Sequence, residues 1–413
     1  MSKAADRFWR HVGVVLSGTV LAQSIPLLGS LLIARLYLPA DFGLFSTWLG
    51  LAQLGAVAMT GRYEMALALE PDGETRRVAV LATFATAGLA VTLLAFVVSN
   101  LYGFGWLRQI PHGLLVSWVP AATLLCASQV WQAWAAADGR YRELGLLRVG
   151  QALAVTVLQV VAGSFDASAE SLAWAQVAGL TIGVLLGVWY MPLSVKPMIP
   201  GNLLTAMRGF QKRHYRFPLL SLPADTVNTA AAQLPLLIVA SRFDADTAGW
   251  LAMAMRTLGA PISLLGAAVL DVFRRHAAQG WRDNGNCRFE YMRTFWVLAG
   301  AATLVALVLV TTSEPLFALV FGERWRAAGT VALWMLPMFT LRLVASPLSY
   351  MFYLADKQHI DLAWQLALLA MTVCTLTLAV TSRGALLAYS AGYSALYLVY
   401  LFLSYRLSRG TSS

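Results

Sequence analysis

The stretch Ala34-Arg-Leu-Tyr-Leu-Pro-Ala-Asp-Phe-Gly43 closes one apolar segment and opens the next. About 207 residues later, Ala240-Ser-Arg-Phe-Asp-Ala-Asp-Thr-Ala-Gly249 does the same. Each copy is preceded by a glutamine and a proline in the apolar segment before it, and Gln23 and Gln233 mark the two copies. A repeat at about half the chain length in a very apolar sequence is typical of transporters built from two similar lobes.

The composition excludes a water-soluble globular protein. Of the 413 residues, 59% are hydrophobic and only 12% are charged, and the mean hydropathy is +0.66. About 20 apolar residues span a bilayer as a helix, and the period-two alternation of a membrane β-barrel is absent. Twelve long apolar windows lie between the charged residues: 11–34, 42–61, 78–107, 109–137, 149–165, 171–195, 217–241, 247–270, 294–313, 327–355, 362–382 and 384–405.

We therefore predict an all-α polytopic membrane protein with 12 transmembrane helices. The repeat divides the chain into an N-terminal lobe of six helices, residues 1–195, and a C-terminal lobe of six helices, residues 217–413. The segment 196–216 between them is rich in proline and basic residues and is predicted to be a cytoplasmic linker.

The net charge of +10 reflects membrane topology and does not indicate a nucleic-acid partner. With the N-terminus in the cytoplasm, 21 of the 30 Lys and Arg residues fall in cytoplasmic segments. By the positive-inside rule, both termini are predicted to be cytoplasmic. Six basic residues fall in external segments: Arg35, Arg108, Arg242, Arg324, Arg326 and Arg383.

The sequence carries no pattern for a catalytic, metal or cofactor site. Cys126, Cys287 and Cys374 lie far apart, fit no metal or disulfide spacing, and are interpreted as small buried hydrophobic residues. The phosphate-binding motif G-x-x-x-x-G-K-[ST] does not occur, which argues against ATP as a direct energy source.

Three arginines lie within the predicted spans. Arg342 is near the middle of its span, Arg256 is about ten residues from a span end, and Arg62 is close to the cytoplasmic end of the second span. Charges at such positions usually face the bundle interior and serve a function. Because the arginine fork binds phosphate oxygens bidentately, all three are candidates for holding a diphosphate in a cationic cavity.

Structural explanations of these arginines stay open. Arg342 or Arg256 can pair with a buried carboxylate, for which Asp225 is available, and Arg62 can reach the membrane surface. Glu64 follows Arg62 by two residues, so on a regular helix the two side chains face differently.

Asp225 interrupts the seventh span, and Asn228 follows one turn later on the same face. Carboxylate and amide oxygens suit Na⁺, and a lone Asp in a membrane can instead carry a proton. We therefore consider Asp225 and Asn228 as an ion-coupling site for Na⁺ or H⁺. The alternatives are a buried Arg–Asp pair and an Asp that is hydrated near the cytoplasmic surface.

Segments in a defined order connect this chain to a known family. They are the following: Ala34-Arg-Leu-Tyr-Leu-Pro-Ala-Asp-Phe-Gly-Leu-Phe45, Gly61-Arg-Tyr-Glu-Met-Ala66, Tyr215-Arg-Phe-Pro218, Gln233-Leu-Pro-Leu-Leu237, Gly249-Trp-Leu-Ala-Met-Ala-Met-Arg-Thr-Leu-Gly-Ala-Pro261, Phe321-Gly-Glu-Arg-Trp-Arg-Ala-Ala-Gly329, Ser346-Pro-Leu-Ser349 and Lys357-Gln358. With these, the chain resembles the Wzx-type O-antigen and polysaccharide flippases of the multidrug/oligosaccharidyl-lipid/polysaccharide (MOP) exporter superfamily.

This resemblance implies two six-helix bundles that form a V around a central cavity. It also implies movement of an isoprenoid-diphosphate-linked oligosaccharide from the cytoplasmic to the external leaflet of the bacterial inner membrane, for lipopolysaccharide or other surface polysaccharide synthesis. The implied partners are that lipid-linked oligosaccharide, membrane lipids, and glycan polymerase and chain-length machinery.

Two other functions stay open at this point. A drug/cation antiporter of the same superfamily would carry a cation, which a cavity with Arg256, Arg342 and only one clear intramembrane acid disfavours. A membrane polysaccharide polymerase or glycosyltransferase would need catalytic groups on a sizeable external loop, which this chain does not have.

Overall fold

The computed structural model describes residues 20–103, 110–193, 200–355 and 357–410. Several predicted features lie partly or wholly outside these ranges: residues 11–19 of the first span, the N-terminal basic residues, Arg108, and residues 196–199 of the linker. Within the described residues all regular structure is helical, with no strand. An all-α polytopic membrane protein is therefore confirmed.

The described residues divide into two compact units, the first ending at Gln233 and the second beginning at Leu234. The division falls within a single helix. The predicted lobes 1–195 and 217–413 stay a prediction.

Nine helices of the described chain begin before this division. They are α1 (Val20–Leu36), α2 (Pro39–Met59), α3 (Tyr63–Ala66), α4 (Glu74–Gly103), α5 (His112–Ala137), α6 (Tyr141–Phe165), α7 (Ala169–Tyr190), α8 (Pro200–Arg213) and α9 (Leu222–Arg242). The division between the units lies within α9.

The remaining helices belong to the second unit. They are α10 (Ala245–Asn284), α11 (Arg288–Phe321), α12 (Arg326–Leu348), α13 (Tyr350–Leu354), α14 (Gln358–Leu378) and α15 (Ser382–Ser408). Short 3₁₀ turns lie at Leu67–Leu69 and Glu323–Trp325, and a π turn at Phe217–Ser221 leads into α9.

Nine helices in the described part of the chain are long and apolar enough to cross a membrane. The helix α1 is apolar but shorter, and α9 and α10 are not among the nine. The count of 12 transmembrane helices therefore stays a prediction. A membrane environment also fits the exposed surface, because α4 and α11 expose large apolar side chains, including Leu89, Phe96, Trp296 and Leu319.

Both copies of the repeated corner lie between two helices, as the repeat predicts. In the first copy α1 ends at Leu36 and α2 begins at Pro39, where proline suits the first helical turn. The Asp41 carboxylate of this corner accepts a hydrogen bond from the Ala169 backbone N–H at 3.1 Å, at the start of α7. In the second copy Asp244 caps α10 itself, accepting from the Thr247 N–H at 2.6 Å.

Close helix packing in the first unit depends on small residues, as is usual for membrane helices. A Cβ atom on Gly179 of α7 would lie 2.5 Å from the Cα of Val155 in α6. One turn later, a Cβ on Gly183 would lie 2.7 Å from the side chain of Gln151. Larger residues at these positions would force α6 and α7 apart.

The predicted linker is largely helical, because α8 occupies most of it. The inner face of α8 packs into the first unit through Phe210, which is fully buried with its ring centroid 5.5 Å from that of Tyr63. The side-chain amide of Gln211 donates to Thr86 Oγ1 of α4 at 3.0 Å. The helix is therefore part of the first unit's packing.

The cysteines differ in their environments. Cys126 and Cys287 are buried, as predicted, but Cys374 is exposed on α14. The expectation of burial is wrong for Cys374 because an apolar window does not reveal which helix face points outward.

Candidate functional site

A break in the second predicted span decides the environment of Arg62. The helix α2 ends at Met59, and Gly61 and Arg62 both adopt left-handed backbone conformations, with φ of 57° and 60°. Glycine takes this conformation freely, whereas for arginine it costs about 1 kcal/mol or more. Arg62 therefore needs stabilising contacts to keep this backbone conformation.

Arg62 obtains those contacts from two carboxylates within the first unit. Its Nε donates to Asp225 Oδ2 at 2.7 Å, and its Nη1 donates to Glu64 Oε1 at 3.0 Å. The expectation that Arg62 and Glu64 face differently is wrong, because it assumed a regular helix where the chain makes a left-handed turn. Of the explanations left open for Asp225, the Arg–Asp pair forms, and its arginine is Arg62.

This cluster is more acidic than the sequence indicates. Glu64 is 6% exposed, and its second oxygen, Oε2, is buried without a hydrogen-bond partner in the described part of the chain. Two carboxylates face one guanidinium, so with both ionised the group carries a net charge of −1. In this conformation the charge of Arg62 is neutralised and is not available to an anionic ligand.

Asn228 lies one turn after Asp225 on α9 but has a different environment. Asp225 is half-buried against Arg62, whereas Asn228 is exposed. A second polar contact links α9 to α2 eight residues further on, where the Gln233 side-chain amide donates to Gln53 Oε1 at 2.8 Å. Gln53 was not among the predicted site residues, because a single glutamine in an apolar window gives no signal.

Arg342, in the second unit, differs from Arg62 in the charge of its surroundings. It lies in α12, half-buried, directly before the buried residues Leu343 and Val344. Its charge acts on the phenols of Tyr389 and Tyr397 in α15. Within the described residues no carboxylate forms an ion pair with Arg342.

The tyrosines beside Arg342 form a continuous row. Ring centroids lie 5.5 Å apart for Tyr389 and Tyr393 and 5.0 Å apart for Tyr393 and Tyr397. Trp364 of α14 extends the row, 5.2 Å from Tyr397. The spacing of four residues between the tyrosines was the sequence signal that could have revealed this row, since such residues share one helix face.

A further buried carboxylate, Asp361, was missed because it lies just outside an apolar window. It is 8% exposed at the start of α14. It accepts hydrogen bonds from the Tyr400 hydroxyl at 2.5 Å and from the Gln365 amide at 2.9 Å. Glu64 and Asp361 are thus both buried in the protein, and the expectation of only one clear intramembrane acid stays a prediction.

Arg256 lies in the long helix α10, half-buried and shortly after the fully buried residues Met253 and Ala254. An apolar cavity of about 380 Å³ lies elsewhere in the same unit, between α11, α12 and α15. Leu341 and Thr340, next to Arg342 in sequence, line it together with Phe295 and Leu398. No ionisable residue is among the residues that line this cavity.

Comparison with solved structures assigns the fold to a class of membrane transporters. The lipid II flippase MurJ in an inward closed conformation is similar with a TM-score of 0.70 and 11% identity, covering 95% of this chain and 87% of MurJ. The MATE transporter VcmN from Vibrio cholerae gives a TM-score of 0.53 and 15% identity, covering 98% and 97%. A MOP superfamily transporter from Pyrococcus furiosus, described as having a binding pocket of reverse polarity, gives 0.54 and 11%, covering 96% and 95%.

The family model for polysaccharide biosynthesis proteins matches residues 32–330, which is most of the chain. This chain therefore belongs to the polysaccharide biosynthesis protein family. Its fold is the one that MurJ and the MATE transporters share. No curated protein sequence matches the chain.

Proposed function

We propose that this protein flips an isoprenoid-diphosphate-linked oligosaccharide from the cytoplasmic to the external leaflet of the bacterial inner membrane, by alternating access, for surface polysaccharide synthesis. Its family and its fold both support a flippase or transporter rather than an enzyme. The isoprenoid-linked oligosaccharide and the direction follow from the resemblance to the Wzx-type flippases, and the diphosphate is the part of the cargo that matches the arginine side chains.

Arg342 is the single observation that carries this proposal. An arginine in a membrane helix is costly unless it is paired or functional. Arg342 acts electrostatically on Tyr389 and Tyr397 and has no ion-pair partner among the described residues, so an anion can bind it without displacing a carboxylate. A diphosphate matches the arginine fork through bidentate, charge-assisted hydrogen bonds.

Arg256 and Arg62 stay in the proposal as further cations for the diphosphate. Arg62 differs from Arg342 because Glu64 and Asp225 already hold it. The Arg62 guanidinium therefore has to break its ion pair with at least one of these carboxylates before it binds a phosphate. A ligand that replaces Asp225 at Arg62 would free that carboxylate for a cation.

The same exchange supports Na⁺ or H⁺ coupling at Asp225 and Asn228. While Arg62 is 2.7 Å from Asp225, a second cation at that carboxylate is strongly disfavoured by charge repulsion. Release of Arg62 would leave Asp225 and the exposed amide of Asn228, one turn apart, as oxygen donors for the ion. Cargo binding and ion binding would then depend on each other through Arg62.

The test uses purified full-length protein in vesicles with a fluorescent isoprenoid-diphosphate oligosaccharide, whose transfer between leaflets is measured with a membrane-impermeant quencher. We expect Arg342→Ala to slow transfer about 100-fold, because a charged hydrogen-bonded contact is worth about 1.5–3 kcal/mol. Arg342→Lys should retain part of the rate, since it keeps the charge without the fork. The exposed Arg293 provides a matched control, Arg293→Ala, which should transfer normally. Normal transfer by Arg342→Ala would contradict the proposal.

A drug/cation antiporter is the second candidate, and the acidic cluster favours it. Glu64 and Asp225, which both pair with Arg62, provide the negative charge that a cationic drug requires. Competition distinguishes the two functions: an isoprenyl diphosphate should displace the fluorescent cargo, whereas a cationic dye should not. Displacement by the dye alone, with loss of dye binding in Glu64→Gln, would favour the antiporter.

A further inference from the structure

Three basic side chains extend outward along α8 and the turn that follows it. Arg208, Lys212 and Arg216 are all exposed, and we call them the basic stripe. Arg208 and Lys212 are four residues apart and therefore share one helix face, with the exposed Leu204 one turn before them. The whole segment 200–221 contains no Asp or Glu.

The other basic residues of this segment are already neutralised. The Arg213 guanidinium donates to both oxygens of Glu70, at 2.9 and 3.0 Å, and His214 Nε2 lies 2.7 Å from Glu70 Oε1. Within the described part of the chain, no carboxylate forms an ion pair with any residue of the basic stripe. The basic residues of this segment that contact Glu70 are therefore paired with a carboxylate, whereas the basic stripe on the outer face is not.

The inner contacts also fix the direction of the outer face. Phe210 is fully buried beside Tyr63, and Met207 packs against the same apolar cluster. With Phe210 and the Glu70 ion pairs holding α8 against the first unit, the basic stripe faces away from the residues on which α8 packs. The described residues provide it with no ion-pair partner, which leaves its charge available to an anion outside the protein.

The side chains around the basic stripe identify that outside surface as a membrane. Tyr215, Leu219 and Leu220 are between 53% and 63% exposed, immediately before and within the turn that leads into α9. Exposed Tyr and Leu side by side with Lys and Arg are typical of the interface between headgroups and acyl chains. Arg208 and Lys212, four residues apart on α8, are separated by about 6 Å along the helix axis. Two neighbouring lipid headgroups can therefore contact them.

We propose that the basic stripe is a binding site for the headgroups of anionic phospholipids, which hold the start of α9 at the membrane surface. A zwitterionic headgroup also contains a phosphate, but its own ammonium group cancels the net charge. The site therefore selects lipids by net negative charge. This inference does not depend on which cargo the protein transports.

The expected preference for anionic over zwitterionic lipids is large enough to measure. A Lys or Arg near an anionic membrane surface contributes about fivefold in affinity, so three together give about 100-fold. The effect should weaken sharply in high salt, because the screening length falls to about 3 Å at 1 M.

The test measures binding of phosphatidylglycerol and phosphatidylcholine to the detergent-purified full-length protein by native mass spectrometry. The unaltered protein should bind phosphatidylglycerol preferentially, and the variant Arg208→Gln/Lys212→Gln/Arg216→Gln should lose about 100-fold in affinity for its tightest phosphatidylglycerol site. The matched control, Arg282→Gln/Arg293→Gln/Arg409→Gln, removes the same charge from exposed positions of the second unit and should keep that site. Equal losses in the two triple variants would overturn the proposal, as would equal binding of the two lipids by the unaltered protein.

Single variants protect the test against misfolding of the triple variant. Each of Arg208→Gln, Lys212→Gln and Arg216→Gln should weaken the site about fivefold while the thermal unfolding temperature stays unchanged, because these side chains are exposed. Arg208→Lys/Arg216→Lys should bind like the unaltered protein, since headgroup attraction depends on charge rather than on the arginine fork. Single variants without any loss, or a Lys variant as weak as the Gln variant, would contradict a headgroup site.

Discussion

Arg62 and Arg342 are the same residue type in predicted membrane spans, yet their surroundings differ in charge. In the first unit, Glu64 and Asp225 surround Arg62 and more than neutralise it. In the second unit, Arg342 lies beside Tyr389 and Tyr397, which supply dipoles but no negative charge. An intramembrane arginine is therefore a candidate anion site only when its neighbours leave its charge uncompensated, and neighbours come from distant parts of the chain.

The largest expected effect comes from giving Arg342 the kind of partner that Arg62 has. Tyr397→Glu places a carboxylate where the charge of Arg342 already acts, so transfer of the lipid-linked oligosaccharide should fall about 100-fold, as the anion then competes with a fixed partner. Leaflet transfer in vesicles measures the effect. Tyr397→Phe keeps the ring and should transfer within about threefold of the unaltered protein. Unchanged transfer in Tyr397→Glu would show that the free charge of Arg342 is not used.

The opposite change removes a partner from Arg62. A double-mutant cycle with Arg62→Gln and Asp225→Asn should give a coupling energy of about 1–2 kcal/mol in the free energy of unfolding, between the values for surface and buried pairs. Both side chains are partly exposed, at 19% and 33%, which places the pair between those limits. Thermal or denaturant unfolding in detergent measures each variant. A coupling energy near zero would mean that the pair does not stabilise this conformation.

The ion pairs of Glu70 with Arg213 and His214 provide another test of paired charges in the first unit. Its expected effect is smaller and depends on pH. Burial raises the pKa of Glu70, but hydrogen bonds and charge from Arg213 and His214 outweigh it, so the pKa lies below its ordinary value of 4.5. Because the folded-state pKa is lowered, the stabilisation is complete above pH 4.5 and is lost as the pH falls through the lower folded-state value.

We expect this stabilisation to be about 1 kcal/mol, because Arg213 is largely exposed and screened by solvent. The protection factors of the α8 amides over 200–213, which correct for the pH dependence of intrinsic hydrogen exchange, should fall by about fivefold as the ion pairs are lost. In Glu70→Gln, the protection factors should already be low at pH 7 and should not change further on acidification. A pH response that survives in Glu70→Gln would assign it to another group.

The smallest expected effect concerns Asn228. If Asp225 and Asn228 share a coupling ion, Asn228→Ala should raise the half-saturating Na⁺ or H⁺ concentration about threefold, since one neutral ligand contributes less than a carboxylate. Transfer rates at graded ion concentrations measure the shift. The neighbouring Val227 is also exposed, so Val227→Ala serves as the control and should leave the half-saturating concentration unchanged. Equal responses of the two variants would remove Asn228 from the coupling site.

The sequence predicts helices well here and side-chain partners poorly. Apolar windows predicted most spans, and the repeated corner correctly placed a helix boundary near Arg35 and near Arg242. The left-handed turn at Gly61 and Arg62 was not foreseen, because a glycine within an apolar window does not show which conformation it adopts. That single turn brought Glu64 onto Arg62 and changed the interpretation of the site.

Asp361 and Gln53 show the same limit for contacts between helices. Asp361 lies at the edge of an apolar window, where an acidic residue normally indicates an interfacial position, yet Tyr400 and Gln365 hold it in a buried site. Gln53 forms its hydrogen bond with Gln233, which is 180 residues away in sequence. Neither contact has a local sequence signal, because the partner lies on another helix.

By itself, the sequence determined the class of this protein, since bilayer thickness and the need to satisfy backbone groups in lipid dictate long apolar helices. It also determined where the rare charges fall along those helices. Only the tertiary structure decided which charges are neutralised: Arg62 meets Glu64 and Asp225, while Arg342 meets tyrosines. The physical reason is that hydrophobic burial acts along each segment, whereas electrostatic pairing depends on distances of a few ångströms between helices that are remote in sequence.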